Sequence, residues 1–194
     1  MPRIIGGARK GSRLKSPGGR STRPTGARVR QSLFDVLAVK THGCRFLDLF
    51  AGSGGVGLEA FSRGASRVVL VDRDRHAIAA LRRNLLSINA MPGAVEIWRA
   101  DYRSALARLD DARIRFDLVY LDPPYATAEY TELLERVVES GILAPDSIVI
   151  VEHFHKRVLP EKIGGLRRFR SVRVGDHRLS FFRPWTQERE ERAN

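Results

Sequence analysis

The chain of 194 residues has one cysteine, Cys44, and two methionines. A single thiol excludes an intrachain disulfide and a cysteine metal cluster, and it fits a reducing cytoplasm. No apolar run approaches the ~20 residues needed to cross a bilayer. The basic N-terminus lacks the apolar stretch of a signal peptide. A soluble, cytoplasmic protein is therefore expected. Acids are scarce at both ends. Residues 1–34 hold nine Lys or Arg and no Asp or Glu, and residues 153–183 hold nine more against Glu161 and Asp176. The net charge is +12. Charge of one sign gathered at two ends, around a more balanced middle, fits a polyanionic partner better than a basic surface kept for solubility.

The length allows one domain, and 43% hydrophobic residues allow a sizeable core. Three segments are expected: a basic arm or loose hairpin over 1–25 that orders on its partner, a domain over 26–184, and a tail over 185–194. Val29, Leu33, Phe34 and Leu37 have helical spacing and predict a helix over 27–39. From residue 45 strands and helices alternate. Strands are predicted at 45–50, 67–71, 95–99, 116–121 and 147–152, and helices at 55–63, 74–89, 104–109 and 129–140. A final hairpin follows, with strands 169–174 and 179–182 about a turn at Gly175-Asp176-His177. This order predicts an α/β fold with a mostly parallel sheet, helices on both faces and an antiparallel strand at the end.

Ligands of open α/β sheets bind at the carboxyl ends of the strands. The first strand ends in Asp48, then Phe50-Ala51-Gly52-Ser53-Gly54. The second is followed by Asp72, the third by Asp101 and the fourth by Asp122. Glycines let the backbone approach a ligand at a helix start. Asp72 can accept both hydroxyls of a ribose, and Asp101 can accept an adenine amino group. Either could instead be a helix N-cap. Gly52, Gly54 and Gly57 also spell the dinucleotide pattern GxGxxG. Asp48 separates the two readings. A carboxylate repels a pyrophosphate but attracts the sulfonium and ammonium of S-adenosylmethionine.

Asp122-Pro123-Pro124-Tyr125 is the most specific element. Asp122 and the carbonyl of Pro123 can each accept one N–H of an exocyclic amino group, and Tyr125 can stack on its ring. This chemistry fits methylation of a nucleobase amino nitrogen. Cys44 precedes the first strand, at the wrong end for the thiol that cytosine C5 chemistry needs. His153 and His155 form no metal pattern and are expected at the surface or on RNA.

These residues resemble a known family. Arg3-Ile4-Ile5-Gly6-Gly7, Arg23-Pro24-Thr25, Arg28-Val29-Arg30, the run from Leu47 to Glu59, Ser62-Arg63-Gly64-Ala65 and the run 121–125 look like the bacterial RsmD-type methyltransferases. The resemblance covers nearly the whole chain. Ala27 stands where the family usually has aspartate. The resemblance implies a Rossmann-like sheet of seven strands, six parallel and one antiparallel. It implies S-adenosylmethionine as methyl donor and the N2 amino group of a guanine in 16S ribosomal RNA as acceptor. Cofactor binding would fall to Asp48, Phe50, Ala51, Gly52, Ser53, Gly54, Asp72, Arg73, Asp101, Tyr102 and Asp122. Catalysis would fall to Asp122, Pro123, Pro124 and Tyr125. Arg9, Lys10, Arg13, Arg23, Arg28, Arg30, Lys156 and Arg157, with the 153–173 region, would hold RNA phosphates. A monomer without a metal is expected, acting on 16S rRNA or an assembling 30S subunit. The alternatives are an adenine-N6 DNA methyltransferase, a catalytically silent RNA-binding assembly factor, and an NAD-dependent enzyme, which Asp48 and the 122–125 run disfavour.

Overall fold

The computed structural model describes residues 2–16, 26–91, 93–124 and 129–185. Five parallel strands form its centre: β1 (Arg45–Asp48), β2 (Arg67–Asp72), β3 (Val95–Arg99), β4 (Phe116–Leu121) and β5 (Leu143–Phe154). One short strand and two long ones complete the sheet: β6 (Lys162–Ile163), β7 (Leu166–Val174) and β8 (His177–Pro184). The order is β3-β2-β1-β4-β5-β8-β7-β6. The order reverses between β1 and β4, which opens a crevice at their carboxyl ends.

The sheet has eight strands where seven were expected. The addition is β6, whose two residues pair antiparallel with Leu166 and Arg167 through a turn at Gly164-Gly165. Two residues are too few to show a period in sequence. The remaining seven strands keep the expected directions, with β8 alone opposed. β5 begins earlier than expected because Leu143 pairs with Phe116 ahead of a bulge. Pro145 and Asp146 interrupt its apolar pattern.

Helices cover both faces because the central strands are apolar on both. Phe46, Val68, Leu70, Leu118, Tyr120 and Ile150 pack beneath α1 (Ala27–Val36), α3 (Gly57–Ser62) and α4 (Arg75–Ser87). Leu47, Val69, Val71, Val119, Leu121 and Val151 pack beneath α5 (Tyr102–Asp111) and α6 (Tyr130–Glu139). The predicted 27–39 helix breaks at Leu37, and a short α2 (Ala38–Thr41) follows.

Residues 2–16 form a hairpin-like segment docked on the domain. The segment doubles back through an Arg3–Arg13 bridge, and Ile4 and Leu14 are buried in the core. Two apolar residues among glycines and arginines hid this anchorage. Hydrogen bonds complete it: Ile5 N–H donates to Glu59 Oε2 at 2.8 Å, and Arg9 N–H to Ser62 Oγ at 2.9 Å. Of the expected arm and tail, 17–25 and 186–194 lie outside the described residues.

Asn84, on α4 and 1% exposed, joins this segment to the glycine-rich loop. Its Oδ1 accepts from Lys15 N–H at 2.7 Å, and its Nδ2 donates to Lys15 O and Ser53 O at 2.9 and 2.8 Å. Asn84→Leu would strip three backbone groups, one of them fully buried, of their partner. We expect it to destabilise the fold by about 2–4 kcal/mol in urea unfolding. Residues 2–16 should become the first point of proteolytic cleavage. An unchanged midpoint would count against this role.

Candidate active site and nucleic-acid interface

The carboxyl ends of β1, β2 and β4 meet around the loop 50–54. Asp48 ends β1 and is 1% exposed. It accepts a hydrogen bond from Phe50 N–H at 3.3 Å. Burial, opposed by that bond and assisted by the charges of Asp72 and Glu152, pushes its carboxyl up to about 7. An acid held so near neutrality in a crevice is poised for a cationic ligand.

Asp72 shapes the loop directly. Its Oδ2 accepts from Gly52 N–H and its Oδ1 from Asp74 N–H, both at 2.8 Å. Asp74, not Asp72, caps α4. Gly52 adopts φ +54°, and a Cβ placed there would meet nothing within 4 Å, so the loop leaves open space on this side. Gly57 serves packing instead: a Cβ there would lie 2.1 Å from Leu70 Cδ2. The glycine pattern thus combines an open approach with close helix–sheet contact. Ala51 and Gly54 hold the turn by hydrogen bonds, and Ser53 is buried. Arg73 is exposed.

Asp101 caps α5, accepting from Arg103 N–H at 2.9 Å, so the N-cap alternative holds for it. One oxygen suffices for that bond, and the rim position next to Tyr102 is kept. The rings of Phe50 and Tyr102 lie 5.7 Å apart and form an aromatic wall.

Asp122 follows β4, half-buried, with Pro123 buried and Pro124 exposed. Tyr125 lies outside the described residues. Asp122 acts electrostatically on Tyr120 and Tyr130. The Tyr130 hydroxyl is pushed up to about 12, first by burial and then by Asp122.

One group escaped the sequence reading. Glu152, fully buried on β5, accepts a hydrogen bond from the Tyr120 hydroxyl, and its Oε1 lies 2.6 Å from His177 Nδ1. Burial raises its carboxyl above the usual range. A signal was present: Glu152 ends the fifth strand as the aspartates end the others.

The basic residues divide sharply. Lys10, Arg13, Arg28, Lys156 and Arg157 are exposed. Arg9 is committed to the end of α4, with Nε donating to Ile88 O at 2.7 Å, as suits a cation at a helix C-terminus. Arg30 corrects its expected place on the surface. It is 1% exposed, donates from Nη2 to Arg3 O at 2.7 Å and faces Glu59. Arg23 lies outside the described residues. His153 also corrects its expectation. It is buried, its Nε2 is 2.9 Å from Ser180 Oγ, and burial lowers its imidazole to about 4. His155 is half-buried beside Phe154. The physical reason is one of register: apolar neighbours carried Arg30 and His153 onto inward faces. Cys44 is buried ahead of β1, its thiol pushed up to about 12 chiefly by burial.

Comparison with known proteins agrees with this architecture. The family model described as "Conserved hypothetical protein 95" matches residues 2–183. The "Putative rRNA methyltransferase YlbH" of Bacillus subtilis is 38% identical over 173 residues, covering 89% of this chain and 94% of that protein. The "Ribosomal RNA small subunit methyltransferase D" of Escherichia coli K12 is 35% identical over 158 residues, 81% and 77% of the two chains. The solved structure of a "Putative methyltransferase yhhF from Escherichia coli" superposes with a TM-score of 0.82 at 30% identity, covering 96% of this chain and 99% of that one. The sheet order, the glycine loop and the acids at its strand ends are thus set on a Rossmann-like methyltransferase fold, and the chain belongs to the RsmD-type family that the "Conserved hypothetical protein 95" model describes.

Proposed function

We propose that this protein transfers a methyl group from S-adenosylmethionine to the exocyclic N2 of a guanine in small-subunit (16S) ribosomal RNA. The observation that carries the reading is the placement of Asp48 and Asp72 at strand ends beside the open face of Gly52, with Asp122 two residues beyond Tyr120, the β4 partner of Asp48. Family membership and the basic surface support it.

The residues present fit the cofactor. Asp72 is held at the loop and can turn toward a ribose; Phe50 and Tyr102 offer apolar rings for an adenine, with Asp101 at their rim. Asp48 faces the cationic end. When bound, S-adenosylmethionine supplies a methyl group on a sulfonium with a neutral leaving group. The chain's own work is positioning. The guanine amino lone pair is delocalised into the ring. Asp122 and the Pro123 carbonyl, accepting its two N–H groups, favour a more tetrahedral nitrogen and free that pair. Asp122 also stands where the proton released after transfer can be taken up. The base must leave its stack to reach this pocket, and Tyr125 is the replacement stacking face. Lys10, Arg13, Arg28, Lys156 and Arg157 hold phosphates around it.

The test is methyl transfer from labelled cofactor to 16S rRNA and to partly assembled 30S particles, with duplex DNA beside them. Mass spectrometry would identify the product. N2-methylguanosine is expected. Methyladenine in DNA would overturn the substrate, and no cofactor binding at all would overturn the enzyme.

A further inference from the structure

We propose that the rim formed by β5, β8 and β7 is a phosphate track for single-stranded RNA flanking the target base, with Arg157, Arg173 and Arg178 as its cations. This rests on the reading of the protein as an RNA methyltransferase and assigns the RNA's path across it.

The sheet register sets the path. Leu121 pairs with Val151 at the end of the β4 ladder, and His153 stands two residues further along β5. His153 pairs with Arg178, and Arg178 with Arg173. These three positions form one row across β5, β8 and β7. At about 4.8 Å per strand, Arg178 lies about 5 Å and Arg173 about 10 Å from His153 along the sheet. All three sit on the sheet face that α6 partly covers, the face of Val151 and Phe182. The row runs away from β4 on the side opposite β1, β2 and β3, whose ends surround the cofactor loop. Cofactor and nucleic acid therefore approach Asp122 from opposite sides.

Arg173 and Arg178 on this row, and Arg157 three residues past the end of β5, are unneutralised: among the described residues, none of the three makes an ion pair. Arg173 Nε donates to Gly175 O and Arg178 Nη1 to Ser171 Oγ, each at 3.0 Å, and the Arg157 guanidinium lies 5.9 Å from the Tyr130 ring centre. These contacts orient the guanidinium groups without cancelling their charge. Neighbouring arginines are otherwise engaged: Arg167 pairs with Glu161 at 3.3 Å, and Arg168 Nη1 donates to Leu159 O at 2.8 Å. The acid on the rim, Asp176, lies 4.0 Å from His155. Guanidinium groups that reach solvent, on the rim next to a pocket that needs an extruded base, fit single-stranded RNA and its phosphates.

The test uses the full chain, with fluorescence anisotropy on a short labelled single-stranded oligoribonucleotide over a salt series. Arg173→Gln and Arg178→Gln should each lower the slope of log affinity against log salt by about 0.7, and together weaken binding roughly tenfold at moderate salt. The KM for 16S rRNA should rise, while kcat at saturating RNA and cofactor affinity stay at wild-type values. Arg173→Gln alters an exposed side chain, so its result stands even if Arg178→Gln disturbs Ser171. Wild-type affinity and slope in both variants, with the wild type still methylating RNA, would overturn the track and leave the enzyme assignment intact. A wild type that neither binds nor methylates RNA would remove both.

Discussion

Asp122→Ala should lower the rate of methyl transfer by about a thousandfold, equivalent to about 4 kcal/mol of transition-state stabilisation. Under the proposed mechanism this carboxylate accepts an N–H from the target amino group and faces the charge that develops on the nitrogen. Alanine leaves the Pro123 carbonyl in place, so part of the orientation survives and the loss should fall on kcat more than on the KM for RNA. Asp122 lies just beyond the β4 ladder, and a thermal melt of the variant checks that the fold persists. A second readout is independent of activity. Asp122 helps hold the Tyr130 hydroxyl near 12, so removing its charge should lower that titration in ultraviolet difference spectra. Single-turnover transfer from labelled cofactor measures the main effect. A variant within tenfold of wild type would remove Asp122 from the chemistry.

Asp48→Asn should change stability and activity in opposite directions. The carboxyl titrates near 7 in the fold, chiefly through burial, against about 4 in an unfolded chain. The folded state thus binds the proton more tightly. Its contribution to stability is fully present below about pH 4 and is lost as pH rises through about 7. Asparagine never ionises and can still accept from Phe50 N–H. The variant should therefore be more stable than wild type at pH 8, by on the order of 4 kcal/mol, and nearly equal to it at pH 4. Without the carboxylate, the cationic end of the cofactor loses its counter-charge. Cofactor binding and methyl transfer should fall by about a hundredfold. Thermal unfolding at the two pH values and calorimetric titration of the cofactor check both halves. A variant less stable at pH 8, or one that binds cofactor normally, would show that Asp48 is a structural acid.

The parts of the fold legible in the sequence were those with strong local period. β3 and β4 have the predicted bounds because short runs rich in β-branched and aromatic residues lie between polar turns. β5 was read short because Pro145 and Asp146 broke its pattern, although pairing with β4 continues across a bulge. β6 was invisible, since a two-residue ladder depends on its partner strand. The strand-end acids were legible because the topology of a parallel sheet places such positions together. Glu152 obeyed the same rule, yet its contacts with Tyr120 and His177 arise between strands far apart in sequence. Asn84 carried no signal at all. A mid-helix asparagine reads as surface until the segment 2–16 folds over it.

By itself, the sequence determined the alternation of strands and helices, the glycine loop, the acids that end the strands and the excess of positive charge. These follow from local periodicity, backbone stereochemistry and composition, which need no knowledge of distant neighbours. Only the tertiary structure decided which charges face water. Arg28 is exposed and Arg30 is buried, two residues apart on one helix, because the 200° between them turns one side chain onto the sheet. His153 went inward and Arg178 onto the rim for the same kind of reason: burial is settled by what packs across a strand or helix face, and the partners come from elsewhere in the chain.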